Sequence, residues 1–124
     1  MRLSLASWAR RRRRRSPPSL IEGRDMSALV QHHVLDFDVW RAVFTEHQSI
    51  REQYGCRNHR LYQCLDDPGD VTIVLAFPGR ERAEAFYRDP SLREAMQRGG
   101  VDGGPRVTLL EAVEAAEYAK RKTA

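Results

Sequence analysis

ALVQHHVLDFDVWRAVFTEHQSIREQYG, residues 28–55, is the stretch whose reading decides the fold. It divides into a strand, a tight turn at Asp36-Phe37-Asp38, and a helix. Successive side chains of a strand point to opposite faces. Val30, His32 and Val34 therefore share one face, and Gln31, His33 and Leu35 share the other. His32 lies on the more apolar face and is expected inside, whereas His33 falls at the rim. From Asp38 the period changes. Trp40, Phe44, His47, Arg51 and Tyr54 recur at spacings of 4, 3, 4 and 3, with Val39, Val43 and Ile50 beside them. That is one face of an amphipathic helix. Asp38 is the expected N-cap, and Gly55 is expected to end the helix in a left-handed C′ conformation. Two members of the face, His47 and Arg51, do not belong on an oily stripe. A buried charge needs a partner, so the helix turns two polar heads toward a pocket or lets them reach its rim.

The rest of the chain extends this pattern. A second strand is expected over residues 57–65, then a turn at Asp66-Asp67-Pro68-Gly69-Asp70. VTIVLAF, residues 71–77, is apolar and β-branched, and reads as a central strand paired in a hairpin with the one before it. Pro78-Gly79 ends that strand. Residues 80–88 form a short helix with Ala83, Phe86 and Tyr87 inward. Asp89-Pro90 starts another, with Asp as cap and Pro in the first turn; Leu92, Ala95 and Met96 face the core. Residues 99–105 read as a glycine-rich loop, residues 107–113 as a fourth strand, and residues 114–124 as a polar tail open to helix. The order β-α-β-β-α-β is that of a ferredoxin-like α+β domain: a four-stranded antiparallel sheet with helices on one face. The other face would expose apolar side chains, and pairing with a second copy would cover them.

A length of 124 residues suits one domain. No apolar run approaches the roughly 20 residues that a membrane helix needs, so no membrane partner is expected. The basic balance is local. Residues 1–25 hold eight Arg against Glu22 and Asp25, a net +6, while the other thirteen Lys/Arg face fifteen Asp/Glu, a net −2. A nucleic-acid partner would need a basic face on the folded part, and the composition argues against one. The arginine run and Ser-Pro-Pro read as a disordered segment with no apolar region of a secretory signal.

The change of composition at Met26, and a Glu-Gly pair that purine-rich ribosome-binding codons can encode, suggest translation from Met26. N-terminal sequencing that finds the segment intact would refute this. A genuine disordered tail is the alternative; Ile-Glu-Gly-Arg also spells a protease-site linker. The expected organisation is thus residues 1–25 upstream, 26–115 a domain and 116–124 a tail. Cys56 and Cys64, on one expected strand, would lie roughly 26 Å apart at about 3.3 Å per residue, too far for a disulfide. Free thiols fit a reducing cytoplasm.

HHVLDFDVWRAVFTEH, then DDPGDVTIVLAF, then DPSLREAMQRGGVDGGPRVTLLE, together resemble the dimeric α/β-barrel superfamily, and within it the small antibiotic-biosynthesis-monooxygenase-like proteins, some of them labelled cyclases. The resemblance covers residues 28–115. It implies the ferredoxin-like fold, a homodimer formed through the open sheet face, and a small apolar or aromatic ligand between sheet and helices. Relatives of this fold include cofactor-free monooxygenases acting on polyketide-type aromatics, cyclases, haem-degrading enzymes, lactone isomerases and proteins without known activity. The haem-degrading site is not carried over: Trp40 is present, but no Asn stands on the first strand. The cofactor-free members often have a Trp or Asn lining the cavity, a part that the resemblance gives to Trp40 on a match of one residue.

The polar candidates are His47 and His32 as the catalytic base and Arg51 as the group that holds an anion. Trp40, Phe44 and Tyr54 would wall a flat substrate, with His59 and Tyr62 completing the site. A cofactor-independent oxygenation or cyclisation needs no more than a base, an anion holder and a dry pocket. The bland alternatives are a hydrogen-bonded core His32, an Arg51 paired with Glu46, Glu52 or an acid of a partner chain, and a purely hydrophobic role for the aromatics. A non-enzymatic ligand-binding or structural dimer is the competing function. No metal is expected: His32 and His33 point oppositely, and no His-x-x-x-His or Cys-x-x-Cys spacing occurs. The glycines at 99–104 precede a strand, which does not suit phosphate binding.

Overall fold

The computed structural model describes residues 26–119. The reading of residues 1–25, and of the tail beyond 119, lies outside the described residues. The elements are β1 (Met26–Val34), α1 (Phe37–Glu46), α2 (Gln48–Gln53), β2 (Asn58–Cys64), β3 (Asp67–Phe77), α3 (Arg80–Tyr87), α4 (Pro90–Arg98) and β4 (Val101–Glu111). The sheet order is β2-β3-β1-β4, antiparallel throughout. This is the expected ferredoxin-like α+β arrangement, with β3 central and paired on both sides.

The register assigns the faces. Val30 lies opposite Ile73 and His32 opposite Val71, while His59 and Leu61 of β2 lie opposite Leu75 and Ile73. These residues share the face covered by helices. Val30, Val34, Val71, Ile73, Leu75 and Phe77 are buried there against Trp40, Ala83 and Phe86. The other face carries Leu29, opposite both Val74 and Thr108, and Tyr62, opposite Thr72. Tyr62 and Leu110 are exposed there.

The helix expected over residues 38–54 is two helices. At His47 the backbone N–H is shared between the carbonyls of Val43 (3.1 Å) and Phe44 (3.2 Å), and ψ is 2°, so the chain tightens there before α2 resumes. The inward face survives the break; Val39 does not belong to it and is exposed. The cap is Asp36, not Asp38. Asp36 has extended backbone, and its Oδ1 accepts from the N–H groups of Asp38 (3.0 Å) and Val39 (3.2 Å). Asp38 already lies in the first turn, where its charge meets the positive end of the helix. Asp36→Ala is therefore expected to cost about 0.5–2 kcal/mol and Asp38→Ala about 0.3–1 kcal/mol. Urea unfolding of the two variants measures the difference. Gly55 ends α2 as expected, at φ 88°. Its N–H reaches the Glu52 carbonyl (2.9 Å) and the Cys56 N–H reaches that of Arg51 (3.0 Å), which is a Schellman ending.

Two stretches expected as loops are bulged strand. The hairpin turn is only Leu65-Asp66; Pro68, Gly69 and Asp70 belong to β3, between the pairs Cys64–Asp67 and Gln63–Val71. Asp67 Oδ1 accepts from the Gly69 N–H at 3.0 Å and shapes this bulge. Likewise β4 begins at Val101, and Gly103, Gly104 and Pro105 lie between partners of His33 and Gln31, three residues facing His32 alone. Gly103 at φ 82° absorbs the kink. Proline and glycine tolerate such bulges as readily as they tolerate turns. Cys56 precedes β2 and does not lie on it; both thiols are free. Residues 112–119 follow β4 without helix. No helix among the described residues is long and apolar enough to cross a membrane.

Candidate functional site

A cavity lies between the sheet and the helices, its sheet wall formed by Val30, His32, Ile73 and Leu75, with Pro105 from the β4 bulge. Trp40, Val43, Phe44, His47 and Arg51 from α1–α2 form a second wall, and Phe86, Tyr87, Leu92, Ala95 and Met96 from α3–α4 a third. Its volume is about 60 Å³, and it opens to solvent. Trp40 and Phe44 stack at 5.1 Å, Phe37 lies 5.8 Å from Trp40, and His32 meets the Trp40 edge at 5.6 Å.

The polar atoms in this apolar wall set the chemistry. Arg51 is 3% exposed. Its Nη1 donates to the Phe44 carbonyl at 2.9 Å, and its guanidinium lies 3.7 Å above the Phe44 ring. Nη2 is buried without a hydrogen-bond partner. No acid pairs directly with it: Glu46 pairs with Arg98, and Glu52, which accepts from the Gln48 amide, favours the cation only through its field. Burial pushes the Arg51 pKa down, but a guanidinium stays charged in proteins. His32 is buried with neither ring nitrogen bonded, and the Tyr87 hydroxyl is also buried without a partner. Burial lowers the His32 pKa and raises that of Tyr87, so both are neutral near pH 7. His47 is buried, with Nε2 at 2.9 Å from Ser91 Oγ. Burial first, then the Arg51 charge, holds its pKa below the usual imidazole value, against an opposing pull from Asp89.

His32, His47, Arg51, Trp40 and Phe44 therefore meet around one space. The other expected members do not. Tyr62 lies on the opposite face of the sheet, one residue out of phase with Leu61. Tyr54 does not line the cavity; it packs on Phe86 and its hydroxyl donates to Asp89 at 2.6 Å. His59 is on the cavity side of β2 but exposed, its ring edge-on to Phe44 at 5.0 Å. Tyr87, expected only as core, also lines the cavity, and its hydroxyl is buried. Ser91 and Asp89 carry no sequence signal beyond the helix cap, because their contact with His47 joins residues 44 positions apart. No cluster of three or more metal-ligating side chains occurs among the described residues.

The buried histidines give stability a pH dependence with a definite sign. His32 and His47 have folded pKa values below the ordinary 6.5. Below 6.5 the unfolded chain binds more protons than the folded one, so stability falls as pH falls. Their contribution is complete above about 6.5 and is lost as pH drops toward the lowered folded values. The expected result is a lower Tm at pH 5 than at pH 8, with a flatter profile in His32→Leu, measured by thermal unfolding.

No family model and no curated protein matches the sequence. Solved structures do match. A Bordetella bronchiseptica protein named as a candidate antibiotic biosynthesis monooxygenase superposes with TM-score 0.64 at 14% identity, over 73% of this chain and 98% of its own. SnoaB, a cofactor-independent oxygenase from Streptomyces nogalater, gives 0.63 at 11% identity, over 73% and 95%. A Caulobacter crescentus CB15 protein, also named as a candidate antibiotic biosynthesis monooxygenase, gives 0.59 at 14% identity, over 73% and 91%. At these identities the likeness establishes architecture: the chain is a ferredoxin-like α+β protein with the fold of the antibiotic-biosynthesis-monooxygenase-like structures.

Proposed function

We propose that the cavity binds a small, flat, largely apolar molecule that is an anion or becomes one, and that the protein oxidises or cyclises it without a cofactor. The observation that carries this reading is the set of buried polar atoms without protein partners, His32 Nδ1 and Nε2, Arg51 Nη2 and Tyr87 Oη, on three residues that all line one apolar cavity. A protein interior leaves few such groups unpaired, and each costs roughly 1–3 kcal/mol. A ligand carrying an oxygen anion and a second polar group would satisfy them. In the proposed reaction His47 removes a proton, Arg51 holds the enolate or phenolate, and that anion supplies electrons to dioxygen. A ring CH₂ and one O₂ then become a ring carbonyl and water. His32 is the second candidate base. The fold shared with SnoaB, a cofactor-independent oxygenase, supports the oxygenase form.

Oxygen uptake with a panel of anthrones, quinols and naphthols tests this. The wild type should consume oxygen with at least one of them, and His47→Ala should lose about 10²–10⁴-fold of that rate, the usual contribution of a positioned base. Uptake by none of the panel would refute the oxygenase reading, and an unimpaired His47→Ala would refute His47 as the base. Binding without turnover would favour the ligand-binding alternative.

The proposal includes a homodimer, through the face that carries Leu29, Val74, Ala76, Tyr62 and Leu110. Tyr62 is 49% and Leu110 43% exposed in the single chain. A second copy laid on this face would remove that apolar surface from water. A cytoplasmic location is part of the same reading, resting on the two free thiols.

A further inference from the structure

His47 is held from outside the cavity by a chain of hydrogen bonds that ends on one carboxylate. Asp89 Oδ1 accepts from the Ser91 backbone N–H at 2.8 Å and from the Ser91 hydroxyl at 2.6 Å. Its Oδ2 accepts from the Tyr54 hydroxyl at 2.6 Å. Ser91 Oγ in turn lies 2.9 Å from His47 Nε2. Counting protons orients every bond. The Ser91 and Tyr54 hydrogen bonds hold Asp89 below the usual carboxylate range, so it is ionised and can only accept. A serine hydroxyl has one proton, and Ser91 spends it on Asp89. The Ser91 oxygen must therefore accept from His47. Neutral His47 carries its proton on Nε2 and keeps a free lone pair on Nδ1.

We infer that Asp89 and Ser91 are positioning residues that fix His47 in its Nε2–H tautomer, making Nδ1 the atom that takes the substrate proton. The catalytic meaning of this inference rests on the reaction proposed above; the tautomer itself does not. His47 lines the cavity and Ser91 does not; with Nε2 committed to Ser91, Nδ1 is the ring nitrogen left with a lone pair to take a proton. When Nδ1 gains a proton, Nε2–H continues to donate to Ser91. The Asp89 carboxylate behind it stabilises the imidazolium without itself becoming protonated, as an orienting carboxylate does for a catalytic histidine. The charged groups that bear on His47 are Arg51 of α2, Arg98 of α4 and Asp89; the two arginines oppose the cation and Asp89 alone favours it.

Nitrogen-15 NMR of the full chain with labelled histidine reads the tautomer directly, with no ligand present. Above the His47 pKa the wild type should show a single form, protonated at Nε2 and bare at Nδ1. Ser91→Ala should lose that uniformity, with the Nδ1–H form rising at least tenfold, and Ser91→Thr, which keeps the hydroxyl, should restore it. Asp89→Asn keeps the helix cap but should lower the His47 pKa and mix the tautomers. An Nδ1–H tautomer in the wild type would overturn the inference. So would a pure Nε2–H form in Ser91→Ala, or, if that variant does not fold, in Asp89→Asn with an unshifted pKa. An Nε2–H tautomer in a protein that turns over no substrate counts for the positioning role and against the reaction, so the two claims fail separately.

Discussion

Replacing Arg51 with methionine is expected to make the protein more stable and to strip it of its ligand. The guanidinium is buried, its Nη2 has no partner, and the two acids beside it on the helices are engaged elsewhere. Burying a charge without a counter-ion is costly. Swapping buried ionic groups for apolar side chains of similar volume often stabilises, by about 1–4 kcal/mol. Methionine fills much of the same space against Phe44. The Phe44 carbonyl would lose the Arg51 donor but keep the His47 N–H, so it is not orphaned. The same substitution removes the only cation lining the cavity among the described residues. Loss of one partner of a buried charged hydrogen bond costs about 2–5 kcal/mol, so affinity for a planar phenolate should fall roughly 30- to 5,000-fold. Urea unfolding and a binding titration on the same variant measure both effects. A variant that is less stable than wild type, with unchanged phenolate affinity, would make Arg51 a structural residue and remove the anion holder from the account.

Trp40→Ala is the second large effect, and it acts on the fold and the site together. Trp40 is 4% exposed and touches the rings of Phe37, Phe44 and His32. The Gly99 position sits against it so closely that a Cβ there would lie 3.1 Å from the indole. Truncating a buried tryptophan costs about 3–5 kcal/mol, a large share of the roughly 5–15 kcal/mol that holds a small domain. Trp40→Phe keeps most of the packing and should cost less while leaving the cavity wall in place. Thermal unfolding of both variants checks this. A loss below about 1 kcal/mol for Trp40→Ala would mean that the aromatic cluster contributes little to the core.

Much of the architecture was legible because two periods carry it. The alternation of Val30, His32 and Val34 assigns their face without any knowledge of partners, and the stripe of Trp40, Phe44, His47 and Arg51 survives the helix break at His47. Where glycine and proline punctuate the chain, sequence and structure part. At residues 66–70 and 99–105 these residues permit a bulge within a strand as well as a turn, and only the neighbouring strands decide. Asp36 and Asp38 are equivalent as letters; the backbone conformation at Asp36 selects the cap. The expected site joins Tyr62 with His59, yet three residues along a strand reverse the face, so both cannot point into one cavity. Ser91 and Asp89 were out of reach for a different reason. Their role depends on α4 packing beside the His47 break, a contact that no local pattern encodes.

The most direct test of the account is native mass spectrometry of the full chain after incubation with the anthrone, quinol and naphthol panel, wild type beside Arg51→Met. The account predicts a dimer that retains one small planar molecule per chain, and an Arg51→Met dimer that retains none. A wild type that retains nothing, or an Arg51→Met protein that holds the same molecule equally well, would contradict it. A monomer would refute pairing through the open sheet face.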